Sequence, residues 1–333
     1  MRILFIADRL ADFNIAKDST YALMVEAARR QHTLFFCETI ALFLCDGTVF
    51  AQVDPLTLLD ASSSNQVEQT ELKEIHATAK NLILPWYQLK PAQTIRLQDF
   101  DFVLMRKDPP FDMEYITATW LLSHAKTQGA KVFNDPRALR DHSEKIAIAE
   151  FSQFTTPTLV TRDVQRIKDF HAQYRDIIIK PLDGMGGSGV FRITDNGRNL
   201  AAVIETLGEQ GRRNLMAQRF IPEINAGDKR VLIIAGQVVP FALARIPQGG
   251  EVRGNLAAGG RGVAQALSVR DAEIAQTLAP ILWQRGLFLV GLDIIGDYLT
   301  EINVTSPTCL REINQQTGFN VAAVALDALE SLC

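Results

Sequence analysis

A lysine and a run of glycines stand together in the segment KPLDGMGGSG at residues 180–189. Glycines free the backbone to present several N–H groups to an anion, and Lys180 adds a cation at the end of an apolar strand pattern. No Gly-Lys-Ser/Thr follows, which excludes a P-loop. A strand pattern at Val190–Ile193 stands where a dinucleotide-binding motif needs a helix. The segment predicts a hairpin flap that closes over phosphates, with a mobile surface hairpin as the alternative. The flap contains Gly184, Gly186, Gly187, Ser188 and Gly189.

Oxygen ligands are spaced along the segment TEINV at residues 300–304. Side chains alternate in a strand, so Glu301 and Asn303 share one face. A carboxylate and an amide oxygen are hard ligands of the kind that Mg²⁺ takes together with phosphate oxygens. Upstream, Asp293 joins this face if a three-residue turn connects the two strands, and points to the other face if the turn has two residues. The pattern predicts a metal-binding strand, with a solvated strand face as the alternative.

A third segment, LARIPQGGEVRGNLAAGGRG at residues 243–262, is rich in glycine and arginine and poor in apolar residues. This composition predicts no regular element. Arginines at such spacing favour bidentate capture of carboxylate or phosphate, and we interpret the segment as a lid that excludes water during a reaction. A disordered loop is the alternative. Arg230, at the start of a strand pattern, offers another anion contact or an ordinary exposed charge.

Composition limits the class of protein. The chain has 333 residues, of which 47% are apolar, and 34 Lys and Arg against 38 Asp and Glu give a formal charge of −4. This balance argues against a nucleic-acid partner, which normally needs a basic face. Four cysteines show no metal-binding or disulfide spacing, and no apolar run reaches the length of a membrane span. These features predict a soluble, cytoplasmic protein without a membrane partner.

The chain divides into two parts by its strand and helix patterns. The first ~140 residues alternate short strands with helices, which favours a parallel α/β sheet. After a boundary near residues 140–143, short strands joined by tight turns favour an α+β arrangement. The segment 61–92 has few apolar anchors and is interpreted as a surface insertion or mobile loop. The segment RKDPP at 106–110 follows a strand, where ligands bind α/β sheets, although a rigid proline turn is the alternative.

Taken together, these segments resemble the ATP-grasp superfamily and, within it, the prokaryotic glutathione synthetases. The resemblance extends over nearly the whole chain, and no protein-kinase signature competes with it. It is carried by the segments LMRKDPPFD (104–112), KPLDGMGG (180–187), DKRVL (228–232), LARIPQGGE (243–251), RGNLAAGGRG (253–262), GLDIIGD (291–297) and LTEINVTSPT (299–308).

The resemblance implies an N-terminal, Rossmann-like pre-ATP-grasp domain over residues 1–142 that binds substrate. A two-lobed ATP-grasp domain would follow over residues 143–333. Its first lobe would cover about 143–212 and its second about 213–333, with the lid at 245–262.

The resemblance also implies site residues. ATP phosphates would be held by Lys145, Lys180 and the flap residues 184 and 186–189. Adenine would lie at Gln218, Arg219 and Ile221, and the ribose at Asp228. Mg²⁺, with Mn²⁺ as a substitute, would be bound by Glu301 and Asn303 with Asp293 assisting. The catalytic residues Arg230, Arg245 and Lys180 would bind the peptide carboxylate and the transferred phosphoryl group. Contacts to the substrate and within the lid would come from Arg106, Arg245, Arg253 and Asn255.

The implied activity is the ATP-dependent ligation of γ-glutamylcysteine and glycine to glutathione through an acyl phosphate, with ADP and phosphate released. The implied enzyme is a homo-oligomer, commonly a tetramer. Two alternatives stay open at this point. One is another ATP-grasp carboxylate–amine ligase with different substrates. The other is a non-catalytic nucleotide-binding protein.

Overall fold

The computed structural model of the chain describes residues 1–59, 86–249, 253–256 and 259–333. Its first sheet has eight strands. Six of them lie side by side in the order β3-β4-β2-β1-β7-β8. The other two, β5 and β6, both pair with β4. These strands are β1 (Arg2–Ile6), β2 (Thr33–Cys37), β3 (Leu42–Cys45), β4 (Thr48–Leu58), β5 (Tyr87–Leu89), β6 (Gln93–Arg96), β7 (Phe102–Met105) and β8 (Val132–Phe133).

The centre of this sheet is parallel, because β1 pairs in parallel with β2 and β7, and β7 with β8. The strands on the β4 side are antiparallel, so the predicted parallel sheet is confirmed at its centre and mixed at its edge. The helices of this part are α1 (Ser19–Arg29), α2 (Met113–Thr127) and α3 (Pro136–Asp141). Each begins at an aspartate whose carboxylate accepts a backbone N–H of the first turn, the N-cap residues being Asp18, Asp112 and Asp135.

A four-stranded antiparallel sheet follows, in the order β11-β10-β12-β9. Its strands are β9 (Thr158–Thr161), β10 (Ile177–Pro181), β11 (Phe191–Ile193) and β12 (Leu215–Arg219). A 3₁₀ helix at Ile146–Phe154 precedes it. The helices α4 (Val164–Tyr174) and α5 (Leu200–Leu207) complete this layer.

The third sheet has five strands in the order β15-β14-β13-β16-β17, all antiparallel. They are β13 (Asp228–Ile234), β14 (Gln237–Ile246), β15 (Arg261–Ala266), β16 (Leu289–Ile295) and β17 (Tyr298–Asn303). The last three helices are α6 (Val269–Gln284), α7 (Leu310–Thr317) and α8 (Val321–Glu330). Among the described residues, no helix is both long enough and apolar enough to cross a membrane.

The first and third sheets share their hydrophobic cores. One buried cluster joins Leu4 of β1 to Ile233 of β13, and a second joins Phe5 of β1 to Leu232 of β13 and Leu326 of α8. The four-stranded sheet has a smaller core of its own around Ile177 and Ile179. Burial of these side chains at roughly 25 cal/mol per Å² fixes the third sheet against the first.

The strand pairing bears on three of the expected segments. Strand β12 pairs with β10, so residues 215–219 belong to the same sheet as β10, and the division of the lobes near residue 212 stays a prediction. The ends of the predicted lid are regular strand, since Arg245 pairs with Gly262 and Ile246 with Arg261. Residues 87–89 form strand β5, which pairs with β4, inside the segment 61–92 that was interpreted as a surface insertion or mobile loop. The remainder of that loop through residue 85, like lid residues 250–252 and 257–258, lies outside the described residues.

Candidate active site

A cleft of about 1010 Å³ opens between the four-stranded and five-stranded sheets. Strands from both sheets, the hairpin between β10 and β11, and the segment 253–255 supply its walls. Polar and charged groups converge at one end of this cleft. They include Lys145, Lys180, Asp228, Arg230, Arg253, Asn255, Asp293, Glu301 and Asn303.

The glycine-rich segment is the hairpin connecting two antiparallel strands, as the sequence predicted, since Ile179 of β10 pairs with Phe191 of β11. The Lys145 ammonium donates to the Gly184 carbonyl at 2.5 Å and ties the start of the hairpin to the cleft floor. Gly187 has φ +82°, and a Cβ there would lie 2.7 Å from Asn255 Oδ1. Glycine at this position lets the hairpin and the segment 253–255 approach each other across the mouth of the cleft.

Two lysines meet one carboxylate on the cleft floor. Lys180 Nζ lies 3.1 Å from Glu301 Oε1, and Lys145 Nζ lies 3.8 Å from the same oxygen. Both lysine side chains are buried, with 7% and 6% exposed. Burial opposes ionisation of Glu301, but the ammonium groups of Lys180 and Lys145 outweigh it and hold the pKa of that carboxyl below its ordinary value. Two buried ammonium groups against one carboxylate form an anion-binding arrangement.

Asp293 lies on the same face as Glu301, by a route that the sequence did not reveal. Ile295 pairs with Tyr298, so the turn between β16 and β17 has two residues, which alone would turn Asp293 away. The register then shifts by one residue. Ile294 pairs with Leu299, but the next residue, Asp293, pairs with Glu301, so Thr300 is an extra residue in β17. This β-bulge restores the face that a three-residue turn would have given.

Four buried charged groups form a network, and three of them, Asp228, Arg230 and Asp293, line the cleft. Arg230 donates through Nε to Asp293 Oδ1 at 2.6 Å and through Nη2 to Oδ2 at 3.2 Å. Arg245 Nη2 lies 2.9 Å from Asp293 Oδ2 and donates to Asp228 Oδ2 at 2.5 Å. Burial opposes ionisation of Asp293, yet the two guanidinium groups hold its pKa far below the ordinary value. Asp293 is therefore the shared counter-charge of both arginines.

Asp228 differs from Asp293 in its environment. Its Oδ1 is buried and has no hydrogen-bond partner. Burial, with repulsion from Asp293 and Glu301 added to it, raises the pKa of Asp228 to about 7 despite the opposing attraction of Arg245. A carboxyl that lines a cleft and has one oxygen without a hydrogen-bond partner is placed to meet a polar group of a ligand.

The residues fit a divalent cation held partly by its ligand. Glu301 offers a carboxylate, and Asn303, whose Nδ2 donates to the Gly291 carbonyl at 3.3 Å, keeps its amide oxygen as an acceptor. No group of three or more His, Cys, Asp or Glu side chains within the described ranges could hold a metal ion unaided. Mg²⁺ commonly binds through one or two carboxylates plus substrate phosphates, so this sparse oxygen set suits it.

The other end of the cleft is apolar. It is lined by Ile178, Phe220, Ile221, Ile224 and Ile295. Gln218 is buried there and its amide donates to Thr158 Oγ1 at 3.1 Å. Arg219 donates to Thr156 Oγ1 and to the Tyr298 hydroxyl, both at 3.2 Å. An apolar slot with a few polar groups at its rim suits a planar heteroaromatic ring.

Comparison with known proteins agrees with this geometry. Residues 1–140 match the N-terminal domain of prokaryotic glutathione synthetase, and residues 144–318 match the ATP-grasp domain of prokaryotic glutathione synthetase. The chain belongs to the prokaryotic glutathione synthetase family.

Curated members of the family are similar over almost their full length. A glutathione synthetase of Ralstonia nicotianae is 56% identical over 99% of this chain and 95% of its own length. One of Nitrosomonas europaea is 54% identical, with coverages of 99% and 98%. Solved structures share the ATP-grasp fold at low identity. D-cycloserine synthetase DcsG has a TM-score of 0.63 at 13% identity and covers 99% of this chain and 100% of its own. ATP-grasp ligase PsnB has a TM-score of 0.60 at 15% identity, with coverages of 99% and 97%. The ATP-grasp fold expected from the sequence is thereby confirmed.

Most residues expected at the site of this family member do line the cleft, but three do not. Gly189 lies outside it, against Pro181. Arg245 is buried behind Asp228 and Asp293 and does not reach the cleft surface, so its contact with substrate stays a prediction. Arg106 lines a neighbouring pocket instead. The roles assigned to the cleft residues also stay predictions.

Sequence reasoning missed Glu144. Its Oε1 accepts from Val304 N at 3.1 Å, Thr305 N at 3.2 Å and Thr305 Oγ1 at 2.9 Å, and its backbone carbonyl accepts from Ile302 N. It thereby holds the strand that carries Glu301 beside Lys145. Its place next to Lys145 was the available signal, but an acidic residue just before a helix has a commoner explanation as a helix-dipole partner.

The raised pKa of Asp228 predicts a pH-dependent stability. Between its ordinary value of 3.8 and about 7, the folded state holds a proton that the unfolded state has lost. The free energy of unfolding therefore falls as pH rises through this window, and the contribution is gone above about pH 7. In urea titrations at pH 5 and pH 8, we expect Asp228→Asn to gain stability relative to the wild type at the higher pH. An unchanged difference between the two proteins would contradict the assignment.

Proposed function

We propose that this protein joins γ-glutamylcysteine to glycine, with ATP as the energy source, to form glutathione, ADP and phosphate. The observation that carries the proposal is the meeting of Lys145, Lys180 and Glu301 under the glycine-rich hairpin, in the cleft that Arg230 also lines. It is the phosphate-and-cation arrangement that carboxylate activation requires. The relatives named glutathione synthetase supply the substrates.

The chemistry explains why the cleft holds cations and oxygen ligands rather than a nucleophile. A carboxylate is a poor acyl donor, so the cysteinyl carboxylate is first converted to an acyl phosphate, which the glycine amine then attacks. Phosphoryl transfer depends on positioning and neutralisation of charge more than on covalent help. Lys145 and Lys180 hold the ATP phosphates, and Arg230 neutralises charge developing on the transferred group.

Glu301 and Asn303, assisted by Asp293, hold Mg²⁺, for which Mn²⁺ can substitute. When bound, the cation would supply positive charge that stabilises negative charge on the phosphate groups. Asp228 takes the ribose, and Gln218, Arg219 and Ile221 take the adenine at the apolar end of the cleft. Gly184, Gly186, Gly187 and Ser188 cover the phosphates.

Arg253 and Asn255 close the cleft. Arg253 Nη1 lies 3.5 Å from the Gly187 carbonyl, and Asn255 lies against the same glycine, so hairpin and lid meet over the phosphate end. An acyl phosphate hydrolyses in water, and a closed cleft preserves it until the amine arrives.

The finer properties belong to the proposal as well. We propose a homo-oligomer, a tetramer by family resemblance, that works in the cytoplasm on small molecules. The formal charge of −4 supports the absence of a nucleic-acid partner, and we propose no membrane partner.

The test is an ADP-release assay with γ-glutamylcysteine and glycine, each omitted in turn, with the peptide product identified by mass. We expect release that needs both substrates and one glutathione per ADP. Release with a different amine, such as D-alanine, but not with glycine would favour another carboxylate–amine ligase. Nucleotide binding with no substrate-dependent release would favour a non-catalytic protein.

A further inference from the structure

Strand β17 ends at a point where a side chain from another part of the chain takes over from strand pairing. The pairing of β17 with β16 stops at Asn303, opposite Gly291. Just beyond this pair, Nδ2 of Asn134 donates to the Leu289 carbonyl at 2.9 Å and to the Val304 carbonyl at 2.6 Å. The Asn134 carboxamide therefore connects β16 to the residue that directly follows Asn303.

The Asn134 side chain is fully used by these contacts. It is 5% exposed, and its Oδ1 accepts from Leu289 N at 2.8 Å, so both N–H groups and the oxygen of the carboxamide are hydrogen-bonded. The backbone beside it is held as well, since Asp135 N donates to the Gly286 carbonyl at 3.0 Å. A buried amide with all its bonds made holds its partners in one arrangement, because a displacement leaves buried polar groups unpaired.

Glu144 holds the other backbone group of Val304. The Val304 N–H donates to Glu144 Oε1 at 3.1 Å, while the Val304 carbonyl accepts from Asn134. On the other side of Asn303, the Ile302 N–H donates to the Glu144 carbonyl at 2.9 Å. Asn303 thus lies between two residues whose backbones are fixed by the segment 134–144, which links the first sheet to the four-stranded sheet.

We propose that Asn134, together with Glu144, is a positioning residue for phosphoryl transfer, an inference that rests on the proposed function. The pair fixes the end of β17 and so keeps the Asn303 amide oxygen and the Glu301 carboxylate in place for Mg²⁺. This cation demands near-ideal octahedral geometry, so a small shift of one ligand weakens its binding. Groups that orient metal ligands without touching the metal typically change metal affinity or activity about 10- to 100-fold when they are altered.

Two substitutions remove the Asn134 contacts in different ways. Asn134→Asp keeps the shape of the side chain but replaces the two N–H donors by an oxygen that faces two carbonyls. Asn134→Ala removes the carboxamide without adding a charge. Asn134 is not among the residues that line the cleft, so neither change alters the cleft surface directly. Urea-induced unfolding shows whether each variant is folded under the conditions of the assays.

Gln128→Glu is the matched control for Asn134→Asp. The Gln128 carboxamide also joins two backbone groups, because its Oε1 accepts from Val49 N at 3.1 Å and its Nε2 donates to the Gly47 carbonyl. These bonds hold the hairpin between β3 and β4, and none of the three residues lines the cleft. The control therefore makes the same exchange of amide for carboxylate at a site that does not hold β17.

Three measurements report on the position of β17. In calorimetric titrations with Mg²⁺ present, we expect both Asn134 variants to bind ADP about 10- to 100-fold more weakly than the wild type. Without Mg²⁺, their ADP affinity should be unchanged. For the complete reaction, kcat should fall about 10- to 100-fold with little change in the KM for γ-glutamylcysteine. In the metal-free protein, amide hydrogen exchange over residues 299–305 should become faster. Gln128→Glu should match the wild type in all three measurements.

Folded Asn134 variants with the wild-type response to Mg²⁺ and the wild-type kcat would overturn the positioning role and leave Asn134 a structural residue. Equal losses in Gln128→Glu would overturn it too. If neither Asn134 variant folds, Glu144→Met removes the other contact to Val304, and the same measurements on it decide the proposal.

Failure of this proposal is distinguishable from failure of the proposed function. If ADP gains no affinity from Mg²⁺ in the wild type, the positioning role is overturned, whatever the turnover. If the Mg²⁺-dependent affinity depends on Asn134 as expected but γ-glutamylcysteine and glycine elicit no ADP release, the positioning role stands and the proposed function fails.

Discussion

Replacing Glu301 with glutamine is expected to lower kcat about 10²- to 10³-fold while leaving the fold intact. The change is nearly isosteric and removes one negative charge from the cleft floor. Glutamine can still accept a hydrogen bond from Lys180, so the strand keeps its place. The carboxylate that holds Mg²⁺ in the proposed mechanism is lost, and with it the neutralisation of charge on the transferred phosphoryl group. The measurement is steady-state ADP release at saturating ATP, Mg²⁺ and both substrates.

Metal binding by Glu301 can be separated from its role as a partner of the lysines. Without Mg²⁺, Glu301→Gln leaves Lys145 and Lys180 without a counter-charge, so ADP should bind at least as tightly as to the wild type. With Mg²⁺, the wild type should gain ADP affinity and the variant should not. The Mg²⁺-dependent gain is therefore the readout that a merely structural role would not change.

Glu150→Gln is the matched control for Glu301→Gln. Glu150 is half-exposed, pairs with Arg285 at 2.6 Å and is not among the residues that line the cleft. Surface ion pairs contribute about 0–1 kcal/mol, so this variant should match the wild type in turnover and in its response to Mg²⁺. If Glu301→Gln turns over as fast as the wild type under saturating conditions, Glu301 is not a ligand of the metal.

The glycine-rich hairpin could be predicted from sequence because its signals are local. An apolar strand, a run of glycines and a second strand follow one another within residues 177–193, and the antiparallel pairing of β10 with β11 needs no information from elsewhere. The alternation that put Glu301 and Asn303 on one face is local in the same way. Such features can be predicted from sequence because residues close together in the chain determine them.

The face of Asp293 could not be settled in this way. The turn after β16 is short enough to turn Asp293 away, and the bulge at Thr300 reverses that result. Whether a strand takes an extra residue depends on what it packs against. Here the Thr300 hydroxyl donates to the Asp293 carbonyl at 3.1 Å, and Glu144 fixes the far end of the strand. Neither contact is visible in a turn pattern.

Long-range partners were also beyond the sequence. Arg106 donates to the carbonyl of Pro307, 201 residues later, and this contact places it in the neighbouring pocket rather than in the cleft. Arg245 has the composition signal of a ligand-binding arginine, but β14 places its guanidinium behind Asp228. A sequence shows that an arginine is present near glycines. It does not show which carboxylate the folded chain brings to it.

Replacing Asp293 with asparagine is expected to destabilise the protein by about 3–5 kcal/mol, the cost of breaking a buried ion pair by removing one partner. Asp293 is 2% exposed and is the carboxylate that Arg230 and Arg245 share. Without its charge, two buried guanidinium groups depend on Asp228 alone. The measurement is urea-induced unfolding without nucleotide or metal, with Asp195→Asn, an exposed partner of Arg175, as the control.

Asp228 should compensate for part of this loss, which gives the prediction a second arm. The charge on Asp293 is one cause of the raised pKa of Asp228, so removing it lets Asp228 ionise more readily and neutralise one arginine. The double variant Asp228→Asn/Asp293→Asn should therefore lose more stability than the sum of the single variants, because the two carboxyls act on shared partners. If the stability losses of the two single variants simply add in the double variant, Asp228 and Asp293 do not act on shared partners. If Asp293→Asn unfolds at the wild-type urea midpoint, Asp293 is not the counter-charge of the arginines, and its remaining place on the face of Glu301 would favour the metal.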